Sequence, residues 1–204
     1  KSKTTFNRRR SVKKSHQAAW LLKAISCIDL TTLSGDDTPA KVSRLCAKAR
    51  HPLRQDLQLA LGIAELNLQT GAVCVYHNMI PHAVKALISS DVPVAAVSTG
   101  FPAGLSSYST RKKEIIDSIK SGATEIDIVI NRGYVIQNNW KKLYQEVKSF
   151  KLAAKGKKIK AILGVGDLET MRNVAKASLV CMMAGADFIK TSTGKESTNA
   201  NLNN

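Results

Sequence analysis

The sequence predicts an α/β protein in which helices cover a parallel β-sheet. Six short runs rich in valine and isoleucine alternate with segments whose apolar residues recur at helical spacing, which is typical of a buried parallel sheet. Charged residues lie inside several of these runs, and charges in buried strands are costly unless they meet one another. A barrel interior brings side chains from different strands together. We therefore predict a TIM (β/α)8 barrel, of which about six strand–helix units lie in this chain.

An open, doubly wound sheet is the competing architecture. Sheets of that kind that bind dinucleotides carry a G-x-G-x-x-G turn between the first strand and its helix. The segment at that junction, TTLSGDDT over residues 31–38, has no such pattern. The sequence therefore favours the barrel.

The predicted strands are short apolar runs. In chain order they are Ile25–Leu30, Ala72–Tyr76, Val92–Val97, Thr124–Ile130, Ile159–Leu163 and Ala186–Lys190. Because alternate residues of a strand face opposite sides of a sheet, Asp127 faces away from Ile126 and Ile128. It is the one carboxylate that we expect on the inward face of the fourth strand. Lys160 and Lys190 are predicted to join it in one polar cluster, and a purely structural ion network is the alternative interpretation.

Helices are predicted after each of the first five strands. Thr38 and Pro39 are typical of an N-cap and a first helical residue, and residues 51–71 form a longer, partly helical connection. The apolar stripes that define the helices are Val42, Leu45, Cys46 and Ala49; Val84, Leu87 and Ile88; Ile115, Ile116 and Ile119; Trp140, Leu143, Val147 and Phe150; and Met171, Val174, Ala175, Ser178 and Met182.

The charge is strongly positive, at +16 over 204 residues. Residues 1–14 contain seven basic residues and no acidic one, so we expect a mobile basic arm there, followed by the barrel domain over 15–197 and a polar tail over 198–204. Aromatic residues make up only 5% of the chain, whereas single-stranded nucleic-acid sites interleave aromatics with basic residues. We therefore do not expect nucleic acid as the main partner, and a positive field also attracts phosphorylated substrates.

Several further classes are disfavoured. No apolar run approaches the roughly 18 residues that span a bilayer, so no membrane partner is expected. The four cysteines are scattered and predict reduced core residues, with neither a disulfide framework nor a metal site. No cofactor is expected. We expect a cytoplasmic protein, and the basic run indicates a nuclear location as the alternative.

The segment ADFIKTSTGK, Ala186–Lys195, points most directly to chemistry. It places Lys190 at the end of a predicted buried strand. Desolvation there disfavours the ammonium form of the lysine and favours a nucleophilic amine near pH 7. Thr193, Gly194 and Lys195 follow in a turn that suits a phosphate. A lysine that can form an imine beside a phosphate site predicts an enzyme acting on a phosphorylated carbonyl compound. The plain alternative is a strand that ends in lysine before a polar loop.

Taken together, five segments resemble the deoxyribose-phosphate aldolase family, particularly its animal members. The resemblance runs in order from about Val12 to Lys195 and rests most strongly on FIKTSTGK. The segments are Cys27–Leu33, Gly100–Gly104, Thr124–Asn131, Met182–Asp187 and Phe188–Lys195.

The resemblance implies a TIM barrel and a metal-free class I aldolase. The expected reaction is the reversible cleavage of 2-deoxy-D-ribose 5-phosphate to D-glyceraldehyde 3-phosphate and acetaldehyde, in deoxyribonucleotide catabolism, by an enzyme that can form a homo-oligomer. It implies Lys190 as the Schiff-base lysine, Asp127 as the acid of the proton relay, Lys160 as its polar support and Asp29 as a first-strand acid near the substrate. Thr193, Gly194 and Lys195 correspond to part of the phosphate site.

Part of the family pattern has no counterpart in this sequence. The family carries a later Gly-Phe-Lys-Pro-Ala-Gly-Gly stretch with a second active-site lysine and then a phosphate loop, and neither is found in these 204 residues. Since six strands cannot close an eight-stranded barrel, we expect this polypeptide alone to be inactive and prone to aggregate. A non-catalytic relative that acts as an interaction protein, and a basic nucleic-acid-associated protein, remain the alternative functions.

Overall fold

Six parallel strands form the centre of the computed structural model, which describes residues 13–201. The sheet order follows the chain from β1 to β6, and every neighbouring pair is parallel. Since each strand is followed by a crossover to the next, helices can cover one face throughout. The strands are β1 Asp29–Thr31, β2 Ala72–Val75, β3 Val94–Ser98, β4 Glu125–Val129, β5 Lys158–Ile162 and β6 Phe188–Lys190.

Helices precede β1 and occupy each connection between strands. Thr38 caps the second helix, where its side chain accepts a hydrogen bond from Lys41 N and Pro39 takes the first position, as predicted. The helices are α1 Lys14–Ile25, α2 Pro39–Arg50, α3 Gln55–Ala60, α4 Ile80–Ala86, α5 Tyr108–Lys120, α6 Arg132–Ile136, α7 Trp140–Ala153 and α8 Met171–Met183, with short 3₁₀ turns at Ala64–Leu66, His77–Met79 and Val165–Asp167.

The two faces of the sheet have different environments. Ile126, Ile128 and Ile130 are fully buried in the main apolar core between sheet and helices, as the two-residue period of a strand requires. The opposite face carries a small apolar cluster that includes Cys74 and Val97, and beyond it the charged residues of the inner face. The main core between the sheet and the helices stabilises the fold. The charged side chains lie on the opposite, inner face of the sheet.

The sheet curls strongly. Lys160 on β5 reaches Asp29 on β1, with Nζ 2.5 Å from Oδ2, although three strands lie between β5 and β1 in the sheet. Side chains of non-adjacent strands can meet in this way only on the concave face of a curved sheet. Among the described residues, β1 and β6 are the two edges. The α/β class and the helix-covered parallel sheet are therefore confirmed.

The first predicted strand was placed too early. Ile25 is the last residue of α1, and the backbone N–H groups of Ser26, Cys27 and Ile28 still donate to carbonyls of the preceding turn. A segment whose N–H groups are engaged in this way cannot pair with β2, so pairing begins at Asp29. Residues 1–12 of the arm predicted over residues 1–14 fall outside the described residues, and Lys14 begins α1.

Four residues of the predicted helical stripes are exposed, among them Ala175 on α8. Ile88 lies beyond the end of α4 and is 84% exposed, and Met171 and Met182 on α8 are about half exposed. The buried residues of α8 are instead Ala177 and Cys181. They are four positions apart, so they lie on the same side of the helix. Within residues 13–201, no helix is long and apolar enough to cross a membrane.

Candidate active site

Lys190 and Asp127 form the central pair of the concave face. Lys190 is the last residue of β6, and its Nζ lies 2.6 Å from Asp127 Oδ2 in the middle of β4. The Asp127 side chain is completely buried, whereas that of Lys190 is 29% exposed. The amine is therefore reachable for a small molecule, and its carboxylate partner is shielded from water.

Lys160 connects three carboxylates on the same face. Its Nζ lies 2.5 Å from Asp29 Oδ2, 2.7 Å from Glu125 Oε2 and 3.4 Å from Asp127 Oδ1. Asp29 and Glu125 lie at hydrogen-bonding distance and Asp127 at ion-pair distance, so the charge of Lys160 is balanced within the protein. The predicted cluster of Asp127, Lys160 and Lys190 is present, with Asp29 attached to it through Lys160.

The expectation of a depressed pKa for Lys190 is wrong. Burial is the largest single influence and lowers the pKa of this amine, but the charge of Asp127, the neighbouring Cys74 and the hydrogen bond to Asp127 together raise it above its ordinary value of 10.5. Lys190 is an ammonium in the resting protein, and it must lose a proton before it can attack a carbonyl. Activation therefore requires a base within reach, and Asp127 is in contact with it.

Lys160 is a poorer nucleophile by the same reasoning. Burial lowers its pKa, but Asp127 and the hydrogen-bonded carboxylates of Asp29 and Glu125 raise it above its ordinary value by more. A lysine with carboxylates on several sides keeps its proton. The geometry thus separates the two lysines, since Lys190 pairs with one carboxylate and Lys160 with three.

Asp127 has an oxygen free to exchange a proton. Its Oδ2 accepts from Lys190, whereas its buried Oδ1 accepts no hydrogen bond from the residues that the structure describes. Cys74 on β2 points its Sγ at Oδ2 from 3.8 Å. Burial, together with the charge of Asp127, raises the pKa of this thiol to about 12. Cys74 therefore remains a neutral thiol that packs beside the carboxylate.

The turn predicted to bind phosphate is closed by hydrogen bonds of its own. Thr193 N donates to both oxygens of Glu196, at 3.0 and 3.2 Å, and Lys195 N donates to Thr193 Oγ1 at 3.1 Å. These two N–H groups are occupied in this structure. The exposed Lys195 side chain forms no ion pair with a described residue and remains available to an anion, as does Gly194 N–H.

A cleft of 480 Å³ opens beside the cluster. Its lining includes Asp29, Glu125, Lys160, Phe188 and Lys190, so both lysines border one space. Among residues 13–201, no group of three or more His, Cys, Asp or Glu side chains is arranged to hold a metal ion. The cleft is polar where Asp29, Glu125 and the two lysines line it, and apolar at Phe188.

Three charged residues of the site were missed by the sequence analysis. Glu125 shares the inward parity of Asp127, so the period of β4 could have identified it, and Asp127 is not the only carboxylate on that face. Arg132 is the first residue of the short helix α6 and Glu196 lies in a loop, so strand periodicity applies to neither. Their contact, with Arg132 Nη1 3.5 Å from Glu196 Oε1, joins two turns 64 positions apart and has no local sequence signal.

Residues 23–204 match the profile of the family described as DeoC/LacD family aldolase. The deoxyribose-phosphate aldolase of Bos taurus is 54% identical over 194 residues, which cover 94% of this chain and 61% of the bovine protein. The chain thus spans about three fifths of the length of the curated relatives it matches. These matches give no support to an interaction protein or a nucleic-acid-associated protein.

Solved structures agree with the sequence matches. A protein described as QR15, an aldolase, has a TM-score of 0.73 at 27% identity, covering 88% of this chain and 72% of that one. The tetrameric deoxyribose phosphate aldolase from Aeropyrum pernix has a TM-score of 0.69 at 24% identity, covering 87% and 67%. The second likeness concerns the fold alone.

Proposed function

The chain belongs to the DeoC/LacD family of aldolases, and on that premise we propose that the protein carrying this sequence is a deoxyribose-phosphate aldolase. It cleaves 2-deoxy-D-ribose 5-phosphate reversibly to D-glyceraldehyde 3-phosphate and acetaldehyde, through a Schiff base on Lys190. The observation that carries the proposal is the contact of Lys190 Nζ with the buried carboxylate of Asp127, 2.6 Å away.

The first half of the proposed reaction forms the covalent bond. The neutral amine of Lys190 adds to the C1 aldehyde of the sugar, and loss of water from the carbinolamine gives an iminium ion. The positive nitrogen then accepts the electron pair of the C2–C3 bond as that bond breaks. The C3 hydroxyl loses its proton and becomes the aldehyde of glyceraldehyde 3-phosphate, while an enamine of two carbons stays on Lys190.

The second half releases acetaldehyde. Protonation of the enamine carbon regenerates an iminium ion, and addition of water followed by C–N cleavage frees acetaldehyde and the amine. Asp127 is proposed to carry protons between the amine, the carbinolamine oxygen and water, because its Oδ2 contacts Lys190 and its Oδ1 accepts no hydrogen bond from the described residues. Lys160 Nζ lies 3.4 Å from Oδ1 of this carboxylate, and Asp29 and Glu125 hold Lys160 in place.

We also propose that the sheet is part of a closed eight-stranded barrel in the active enzyme. The strong curl that lets β1 and β5 meet supports closure, since barrels join such edges through further strands. Exposed edge strands are sites of aggregation. A homo-oligomer and a cytoplasmic location remain predictions.

Turnover by the protein tests both proposals. The full protein should convert 2-deoxy-D-ribose 5-phosphate into equal amounts of glyceraldehyde 3-phosphate and acetaldehyde. The 204-residue polypeptide by itself should show no turnover and should aggregate, because β1 and β6 are the edges of the sheet formed by residues 13–201. A coupled dehydrogenase assay and light scattering measure the two outcomes. A monomeric, cooperatively melting 204-residue polypeptide with normal turnover would refute the closure proposal, and a folded full protein without turnover would refute the function.

Lys195 is proposed to bind the phosphate of the substrate through its exposed ammonium. Lys195→Ala should lower kcat/KM for 2-deoxy-D-ribose 5-phosphate about 10- to 100-fold, as expected for the loss of a charged hydrogen bond. The activity with unphosphorylated 2-deoxy-D-ribose should stay near the wild-type value. Lys155→Ala, at another exposed lysine, is the matched control. Equal losses on both sugars would mean that Lys195 only supports the turn.

A further inference from the structure

Arg132 connects the loops that follow four strands. It is the first residue of α6, just after β4, and its Nη1 and Nη2 donate to the carbonyls of Pro102 and Ala103, at 3.5 and 3.4 Å, in the loop after β3. Its Nε lies 3.2 Å from Asp167 Oδ2 after β5, and its Nη1 lies 3.5 Å from Glu196 Oε1 after β6. A planar guanidinium with five N–H donors suits this role, since it can bond in several directions at once.

Glu196 links Arg132 to the turn after β6. Its carboxylate is only 3% exposed and accepts both of its hydrogen bonds from Thr193 N, while Thr193 Oγ1 accepts from Lys195 N. These hydrogen bonds close the turn over residues 193–196 and set the path of the backbone that carries Lys195. Arg132 is the cation that the structure places beside this buried carboxylate, so its removal would leave a buried charge unpaired.

Gly164 provides the space for this ion pair. A Cβ atom at residue 164 would lie 2.7 Å from Arg132 Nη1 and 3.1 Å from Glu196 Oε1. The first distance is shorter than real Cβ contacts and the second is tight, so the guanidinium and the carboxylate pack closely against the backbone of Gly164. The position also has φ of +67°, which glycine adopts without strain. The loop after β5 is thus shaped around the contact between Arg132 and Glu196.

We propose that Arg132 is a positioning residue for the substrate's phosphate group. It acts through Glu196, which holds the Thr193–Lys195 turn in the geometry that presents Lys195 to the anion. The inference rests on the proposed function for the role of that turn, but it concerns residues outside the Lys190 chemistry. Arg132 itself touches neither Lys190 nor Asp127, so its loss should weaken recognition of the phosphate and spare imine formation.

The test compares two carbonyl ligands in borohydride trapping on the full protein, with the adduct on Lys190 quantified by mass spectrometry. In Arg132→Gln, the concentration of 2-deoxy-D-ribose 5-phosphate for half-maximal trapping should rise about tenfold, equivalent to about 1.4 kcal/mol. Trapping of acetaldehyde, which has no phosphate, should stay within about twofold of the wild type. Arg132→Lys should behave almost like Arg132→Gln, because one ammonium cannot replace the guanidinium fork. The exposed Arg44→Gln is the control.

A double variant separates positioning from general stability. Adding Glu196→Gln to Arg132→Gln removes the unpaired buried carboxylate, so it should recover part of the lost affinity for the phosphorylated sugar. If Arg132→Gln does not fold, Glu196→Gln alone, which keeps the shape of the side chain, should show the same selective loss. Equal losses for both ligands, or no loss for either, would overturn the proposal. A wild-type protein that traps neither ligand would instead refute the Schiff-base function, and with it the premise of this inference.

Discussion

Replacing Lys190 by methionine is expected to abolish Schiff-base formation and to lower kcat by at least about 10³-fold, since a covalent mechanism without its nucleophile retains only binding and general electrostatic effects. Treatment of the wild type with acetaldehyde and borohydride should add an ethyl group to the peptide containing Lys190. No adduct should form on that peptide in the variant. Kinetics and peptide mapping on the full protein measure the two effects.

Lys190→Arg distinguishes chemistry from charge. Arginine keeps the cation beside Asp127, so the fold should remain near wild-type stability, but its guanidinium is always protonated and forms no imine. Lys113→Met is the matched control, because Lys113 also pairs with an aspartate, Asp117, but on the surface of α5. An adduct on Lys160 in the wild type, or substantial turnover in Lys190→Arg, would contradict the assignment.

Asp127→Asn is expected to reduce kcat by about 10²- to 10⁴-fold, which is the usual range for loss of a positioned acid–base group. The amide cannot take a proton from the carbinolamine or return one to the enamine. It keeps the size of the carboxylate, so thermal unfolding should show a folded protein. Asp117→Asn, the surface aspartate that pairs with Lys113, should leave kcat unchanged. An unchanged kcat in Asp127→Asn would refute the proton relay.

The same variant predicts a shift in pH dependence with a defined sign. Asp127 raises the pKa of Lys190 above its ordinary value of 10.5, so the reactive neutral amine increases only as the pH rises into the alkaline range. In Asp127→Asn this carboxylate is absent. Burial and the charge of Lys160, which both lower the pKa of Lys190, should then give a lower pKa than in the wild type. The rate of acetaldehyde trapping should therefore reach its half-maximum at a lower pH in Asp127→Asn than in the wild type. A shift to higher pH would show that Asp127 does not stabilise the ammonium.

Local patterns were sufficient for the main elements of the fold and for the central residues of the site. Strand periodicity assigned Ile126 and Ile128 to the helix-facing core and Asp127 to the opposite face, and the structure confirms this. The N-cap at Thr38 was predicted for a similar reason, since its hydrogen bond lies within one helical turn. Periodicity was less reliable at element ends, where Ile25 is helical and Ile88 is exposed.

The sequence by itself determined that Lys190, Asp127 and Lys160 occur on strands with a common inward parity, because parity is a property of each strand alone. Only the tertiary structure decided the direction in which the pKa values of Lys190 and Lys160 shift, since a pKa depends on which charges lie within a few ångströms. Burial alone would lower the pKa of Lys190, and Asp127 on β4 together with Cys74 on β2 reverses that direction. The contact between Arg132 and Glu196 was also decided only by the tertiary structure. It depends on how β4 and β6 are placed in the curled sheet, and no short stretch of sequence contains that information.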